Sequence, residues 1–397
     1  MSHSSRLSLI FSCIGHVYIH LFTAFYFVIV LALEVDWQQP YHELVELWTL
    51  GALLVGIAAL PAGWLGDRWS ASGMMAVFFV GMGIASILAG LAQTPMQLLF
   101  SLAGIGLFAA IYHPIGIPWL VRNTDSKRGK ILAINGIFGS LGSAVAGIVA
   151  GFLIDLANWR VAFILPGIIC VLTGFVLVYF IATGRVTDGG ESAKKETNSR
   201  NDMARVFVIL LFTMFIAGMI FHSIQTSLPK VFEQRHNGIV GDGAAGIGML
   251  VAFVYTVSGL MQLVGGYLAD RFPLKFVYLG ALGFQIPFLW LAAGFSGVPL
   301  VAVATLMVMS ATSALPAENM LLAKYTPAKH HGLAFGIKFV LYFAAAPLAV
   351  QFVARVNAQS GEFYWVFAIL AIGAACITLL SCLLPRSQRI QTVPVSV

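Results

Sequence analysis

A chain of 397 residues in which 59% are apolar and only 10% are Asp, Glu, Lys or Arg cannot cover a water-facing surface of ordinary polarity, because soluble domains carry about a quarter charged residues. A soluble enzyme is therefore excluded, and the net charge of +6 concerns where basic residues fall relative to a membrane, not nucleic-acid binding. At ~20 apolar residues per membrane-spanning helix plus a connection, the length accommodates roughly twelve spans.

Met1 to Arg6 is short and polar, and the apolar run behind it is too long for a signal-peptide core and lacks a convincing cleavage site. It reads as a first span. Apolar runs fall at 7–33, 44–66, 73–93, 97–121, 131–154, 160–183, 205–229, 244–267, 275–295, 299–322, 333–354 and 363–384. Each continues for about 20 residues without polar alternation, which predicts helices and not barrel strands, since a backbone in lipid must satisfy its own hydrogen bonds. The expected fold is an all-α integral membrane protein of twelve helices. The cysteines Cys13, Cys170, Cys376 and Cys382 lie in or beside apolar runs without metal-type spacing, and read as small packing residues.

The long polar connection is Gly184 to Ala204, rich in Lys, Glu, Ser, Gly and Asn. It reads as a flexible linker between an N-terminal half, 1–183, and a C-terminal half, 205–397. Laying one half on the other puts GWLGDR, Gly63 to Arg68, on GYLADR, Gly266 to Arg271, at an offset of 203 residues. The same offset puts Arg128-Gly129 on His331-Gly332 and each early span on a late one, the mark of an internal duplication. Seventeen of the 22 basic residues, from Arg6 and Arg68 through Arg122, Lys127, Arg128, Lys130 and the linker to Arg271, Lys275, Lys324, Lys329, Arg386 and Arg389, fall on one side. Arg160, Lys230, Arg235 and Arg355 fall on the other, and Lys338 lies inside a span. Both termini and the linker are thus expected in the cytoplasm.

GWLGDR between spans two and three and GYLADR between spans eight and nine resemble the G-x-L-A/G-D-R signature of the major facilitator superfamily. The resemblance covers the whole chain and implies two six-helix halves around a central cavity, with transport by rocking of one half against the other. It implies a multi-pass protein of the cell membrane, in a bacterial inner membrane, acting as a monomer. It also assigns Asp67, Arg68, Asp270 and Arg271 to gating and not to substrate; their carboxylates can pair with Arg and face helix N-termini, where the dipole favours negative charge. The first copy continues as Trp69-Ser70-Ala71-Ser72 without the basic pair usual in the family, whereas the second keeps Lys275. Span five carries Gly139, Gly142, Gly147 and Gly151, a small-residue pattern that lets helices approach closely; in the family a glycine-rich fifth span accompanies export, although the exporters' Gly-Pro pair is absent at Ala146-Gly147-Ile148. Tyr112-His113-Pro114 is similar to a His-Pro pair of the fosmidomycin-resistance-like branch.

Ionisable groups inside spans are costly and therefore informative. Span one holds His16 and His20, on one helix face; span four holds His113; span seven holds His222 with Gln225; span ten holds Glu318 and Asn319; span eleven holds Lys338. Glu43 and Glu46 stand at the outer start of span two. Glu318 and Lys338 fall at similar depth on consecutive helices, so a pair is expected. Two readings remain open, a pair broken by substrate or a proton and a fixed structural one. The histidines can relay protons, since imidazole titrates near neutral pH. Two imidazoles at i and i+4 supply only two metal ligands with no carboxylate on that face, so no metal site and no cofactor are expected. No Arg lies inside a span, which argues against phosphate esters.

Together these features predict a secondary transporter carrying a small organic molecule by alternating access, with proton-coupled export as the first reading and proton-coupled uptake of an organic acid, anchored by Lys338 and a histidine, as the alternative. No HExxH, GxSxG, phosphate-cradling loop or Cys/His pairing points to an enzyme or an ATP-driven pump.

Overall fold

The computed structural model describes residues 3–124, 128–189, 200–241, 243–326 and 331–385, and all regular structure among them is helical. Residues 190–199 of the predicted linker, with Lys127, Lys329, Arg386 and Arg389, lie outside the described residues. Among the described residues eleven helices are long and apolar enough to cross a bilayer. Span one is Ser4–Trp37, span three Ala71–Leu91, span four Pro95–Arg122, span five Ile134–Leu156 and span six Trp159–Ala182. Span seven is Arg205–Arg235, span eight Ala244–Arg271, span nine Leu274–Ala292, span ten Gly297–Tyr325, span eleven Gly336–Ser360 and span twelve Tyr364–Ser381. Span two is the bent pair Tyr41–Ile57 and Ala59–Arg68, meeting at 41°. Pro61 lies just past the break, and its missing N–H cannot bond the carbonyl of Ile57.

The start of the polar connection after span six packs against other span ends. Thr187 accepts from Trp119 Nε1 at 3.0 Å and donates its N–H to Ser4 Oγ at 3.1 Å. Asp188 Oδ1 accepts from Ser72 N–H at 2.8 Å, beside the Ser70 cap of span three. Partial burial opposes ionisation of Asp188, yet the Ser72 N–H, the serine hydroxyls and Arg122 hold its carboxyl below the ordinary carboxylate range. The helix of span seven begins at Arg200, inside the stretch that reads from sequence as linker.

Several helices run past the predicted ends of their apolar runs. Glu34 and Asp36 are on the helix of span one, and Lys230 and Glu233 on that of span seven. A hydropathy boundary stops at the first charge, but the helix continues wherever its charges find partners across the molecule.

The packing repeats along the chain. Span one lies against span five and span seven against span eleven; two against four and eight against ten; three against six and nine against twelve. The first six spans meet the last six chiefly where five touches eight and two touches eleven. The glycines of span five divide between two neighbours: a Cβ on Gly139 would come within 2.5 Å of the His16 ring, and one on Gly142 would overlap the Val17 carbonyl. Gly147 and Gly151 admit span eight, where a Cβ on Gly147 would sit 2.7 Å from the Gly248 carbonyl and one on Gly248 would overlap the carbonyl of Gly147. Two backbones this close leave no room for a branched side chain, and in lipid such packing is what holds the helices together. Gly248→Val is therefore expected to force spans five and eight apart and abolish transport while leaving membrane insertion intact, as immunoblotting of membranes beside substrate flux will show.

Candidate functional site

The Tyr112–Gly116 segment of span four is a single π-helical turn. Pro114 lacks the N–H that a regular helix needs there, so the turn widens, as helices commonly do at functional sites. This widening carries Tyr112 and His113 toward span one. Tyr112 stacks on His16 with ring centroids 5.0 Å apart, and its hydroxyl donates to the Ser12 carbonyl at 2.7 Å. Asn135 of span five donates through Nδ2 to the Tyr112 oxygen at 2.9 Å, while its backbone carbonyl accepts from His16 Nδ1 at 2.8 Å.

Three of the histidines singled out from sequence thereby meet. The rings of His16 and His20 are 5.1 Å apart, those of His16 and His113 5.6 Å, and those of His20 and His113 5.9 Å. His113 in turn stacks on Phe339 of span eleven at 5.0 Å. Beside the cluster lies a cavity of about 40 Å³ between spans one, two, four, seven and eleven, room for a few waters. Its wall is mostly apolar, with Trp48, Phe221, Tyr342 and Phe343, and its polar anchors are Thr23, His20, His113, His222, Gln225 and Thr226. His222 approaches the Tyr342 ring at 5.0 Å and stands outside the three-histidine group.

The remaining candidates form a second cluster. Lys338 Nζ lies 2.6 Å from Glu318 Oε1, with only 7% and 6% of the side chains exposed, and donates to Asn319 Oδ1 at 2.6 Å. The Tyr278 hydroxyl donates to Glu318 Oε2 at 3.1 Å and sits 3.0 Å from Thr213 Oγ1. Spans seven, nine, ten and eleven are thus tied through one buried ion pair, with Tyr342, one turn beyond Lys338, between it and the cavity.

Sequence reasoning missed the residues that join the two sets of spans. Lys230 of span seven reaches Glu34 of span one at 2.6 Å and also pairs with Glu233 on its own helix. Tyr41 donates to the Thr226 carbonyl at 2.8 Å, and Gln351 to Thr49 at 2.9 Å. Asp155, at the end of span five, accepts from the N–H groups of Ala244 and Ala245 at 2.9 Å each, so a carboxylate from one set caps a helix of the other, where the dipole favours it. No sequence spacing foretells such pairs; the only signal is a charge just past the end of an apolar run.

At the opposite end, Asp67, Arg68, Asp270 and Arg271 are exposed. Among the described residues neither arginine pairs with a carboxylate; Arg68 lies over Trp64 at 4.0 Å and Arg271 over Tyr267 at 4.1 Å. Between described residues, Gln262 Nε2 of span eight donates to Ser140 Oγ of span five at 2.9 Å in the half of the bundle toward this end, and no hydrogen bond or ion pair joins the two sets of spans at the end itself. Glu43 and Glu46, on the helix Tyr41–Glu46, are members of neither cluster.

A multi-pass helical bundle whose two sets of spans enclose a cavity and close on each other at one end has the architecture of a membrane transporter. The Major Facilitator Superfamily model matches residues 12–245 and 239–395, and the chain belongs to that superfamily. Over 126 residues it is 32% identical to a probable hexose phosphate transport protein of Chlamydia trachomatis, covering 31% of this chain and 27% of that one. Over 220 residues it is 28% identical to a probable 4-methylmuconolactone transporter of Cupriavidus pinatubonensis, covering 51% and 50%. The chain thus spans between about a quarter and half of these relatives. Its fold is that of the D-xylose-proton symporter, with a TM-score of 0.75, 16% identity and coverage of 96% and 99%.

Proposed function

We propose that this superfamily member exports a small, non-phosphorylated organic molecule in exchange for protons, by rocking residues 1–183 against residues 205–397 about the linker 184–204. The observation that carries the reading is the buried Glu318–Lys338 pair, one turn from the cavity wall. An ion pair this dry is costly in lipid unless its partners stay together, so protonation of Glu318 frees Lys338 and couples a proton to rearrangement of span eleven. The absence of Arg and Lys among the described cavity residues supports a substrate without phosphate, and the aromatic wall supports one with an apolar body.

The side of the molecule bearing Arg68 and Arg271 is assigned to the cytoplasm from the distribution of basic residues. With the spans joined at the Glu34 end, the conformation is closed to the outside and loads from within. Asp67, Arg68, Asp270 and Arg271 serve the alternate state, where their end closes. Uptake of an organic acid held by Lys338 and His222 is the second reading, favoured by the likeness to a 4-methylmuconolactone transporter.

Flux in oriented vesicles separates the two. Export predicts that an inward proton gradient drives substrate out of right-side-out vesicles, and that Asp67→Asn slows flux in both directions without altering substrate affinity. Accumulation inside the same vesicles under that gradient selects uptake, and flux indifferent to the gradient removes proton coupling.

A further inference from the structure

The meeting of His16, His20 and His113 goes beyond a proton path. A ligand nitrogen from each lies within 4.8 Å of the others, on two helices and on the cavity side of span one. His16 Nδ1 faces a backbone carbonyl, that of Asn135, at 2.8 Å. A carbonyl only accepts, so Nδ1 carries the proton and Nε2 carries the lone pair. Fixing one ring nitrogen on a carbonyl so that the other is free is how proteins orient histidines for metal. Tyr112, stacked on His16 and bonded to Asn135 and Ser12, meets the His113 ring edge-on at 5.4 Å.

His113 supplies a second, independent observation: both its ring nitrogens are buried and without a hydrogen-bond partner among the described residues. A buried polar atom left unpaired costs about 1–3 kcal/mol and calls for a ligand. We propose that His16, His20 and His113 bind a divalent transition-metal ion of the zinc class through three neutral imidazoles, leaving a fourth position toward the cavity. Imidazole suits zinc, cobalt, nickel and copper, and three histidines with an open position are an established zinc geometry. At Zn–N distances of 2.0–2.1 Å a tetrahedral ion holds its nitrogens about 3.4 Å apart. The nitrogens therefore close by at most about 1.4 Å from their 4.8 Å limit. The described cavity residues near the cluster, Thr23, His222, Gln225 and Thr226, include no carboxylate. The bound dication is thus uncompensated by protein charge, and the fourth ligand that fits is an anionic oxygen entering from the cavity. Sequence spacing offers two of the three ligands; the widened turn at Pro114 brings the third.

The test is binding, not flux, so its outcome is separate from that of the transport reading. Full-length, tag-free protein in detergent, stripped with chelator, is titrated with Co2+ and followed by its visible ligand-field bands. One Co2+ per chain with the intense bands of a tetrahedral ion is expected, unchanged in His236→Ala, a histidine outside the cluster. His16→Ala, His20→Ala and His113→Ala each lower the affinity by more than the roughly 10–100-fold that accompanies loss of an outer-shell partner. Co2+ binding that survives all three substitutions overturns the site, as does the absence of stoichiometric binding to the wild-type chain. X-ray absorption at the zinc edge on wild-type protein guards against misfolded variants. A shell of three imidazole nitrogens is expected, and a shell without them overturns the proposal.

Discussion

Lys338→Ala is expected to cut the yield of folded protein far below wild type, while Glu318→Gln, which removes the other charge, folds and yet fails to couple protons to transport. The asymmetry follows from what each change leaves behind. Alanine at 338 strands a carboxylate that is 6% exposed and, among the described residues, retains only the Tyr278 hydroxyl, and removal of one partner of a buried pair costs about 3–5 kcal/mol. Glutamine at 318 keeps an amide oxygen for Tyr278, and Lys338 retains Asn319 as an acceptor. The double variant Glu318→Gln with Lys338→Met removes both charges and is expected to recover the yield, because replacing a buried pair with neutral groups is often neutral or stabilising. Fluorescence-detected size exclusion measures the folded fraction, and flux under an imposed pH gradient measures coupling. The exchanged pair, Glu318→Lys with Lys338→Glu, discriminates roles: it is expected to fold without restoring transport, whereas a purely structural pair predicts that both return. Proton-driven flux retained in Glu318→Gln removes Glu318 as the proton carrier.

Much of this cluster is legible in the amino-acid sequence. Charges inside apolar runs are so few that Glu318 and Lys338 select each other by depth on consecutive helices, and the pairing at 2.6 Å follows. The twelve spans are legible because lipid imposes continuous apolar runs on the sequence, and the repeated motif because the two halves align at one offset. Tyr278 and Thr213 are not, because a tyrosine in an apolar run looks like packing until a carboxylate is placed against its hydroxyl. His113 is visible as an intramembrane histidine, but its approach to His16 and His20 depends on a π-helical turn that no hydropathy window registers. Glu34, Lys230 and Asp155 look in the sequence like charges in connections; what makes them joints is helix crossing geometry, which lies outside the reach of a single sequence.

Those joints govern the second large effect. Lys230→Met is expected to shift the molecule toward a state open at the Glu34 end. Among the described residues Lys230 is the cation that pairs with both Glu34 on span one and Glu233 on span seven, so the substitution removes an attraction and leaves two carboxylates facing each other across the seam. Truncating one member of such a partly buried pair costs about 2–5 kcal/mol, which corresponds to roughly a thirtyfold or larger change in the ratio of closed to open molecules. Glu34→Gln is expected to do less, because Glu233 still neutralises the lysine. Asp155→Ala uncaps span eight at about 1 kcal/mol, and since it lies on a different pair of helices its effect is expected to add to that of Lys230→Met. Spin labels at the exposed positions Val35 and Ile239, in a chain whose exposed Cys376 and Cys382 are replaced by serine, report the separation of spans one and seven. The wild type is expected to show one short distance, Lys230→Met a dominant longer one, and the exchanged pair Glu34→Lys with Lys230→Glu an intermediate population, since Glu233 then sits beside a carboxylate at 230. Identical distance distributions in wild type and Lys230→Met would mean that apolar packing of five on eight and two on eleven closes this end unaided, and would sink the role assigned to the lysine.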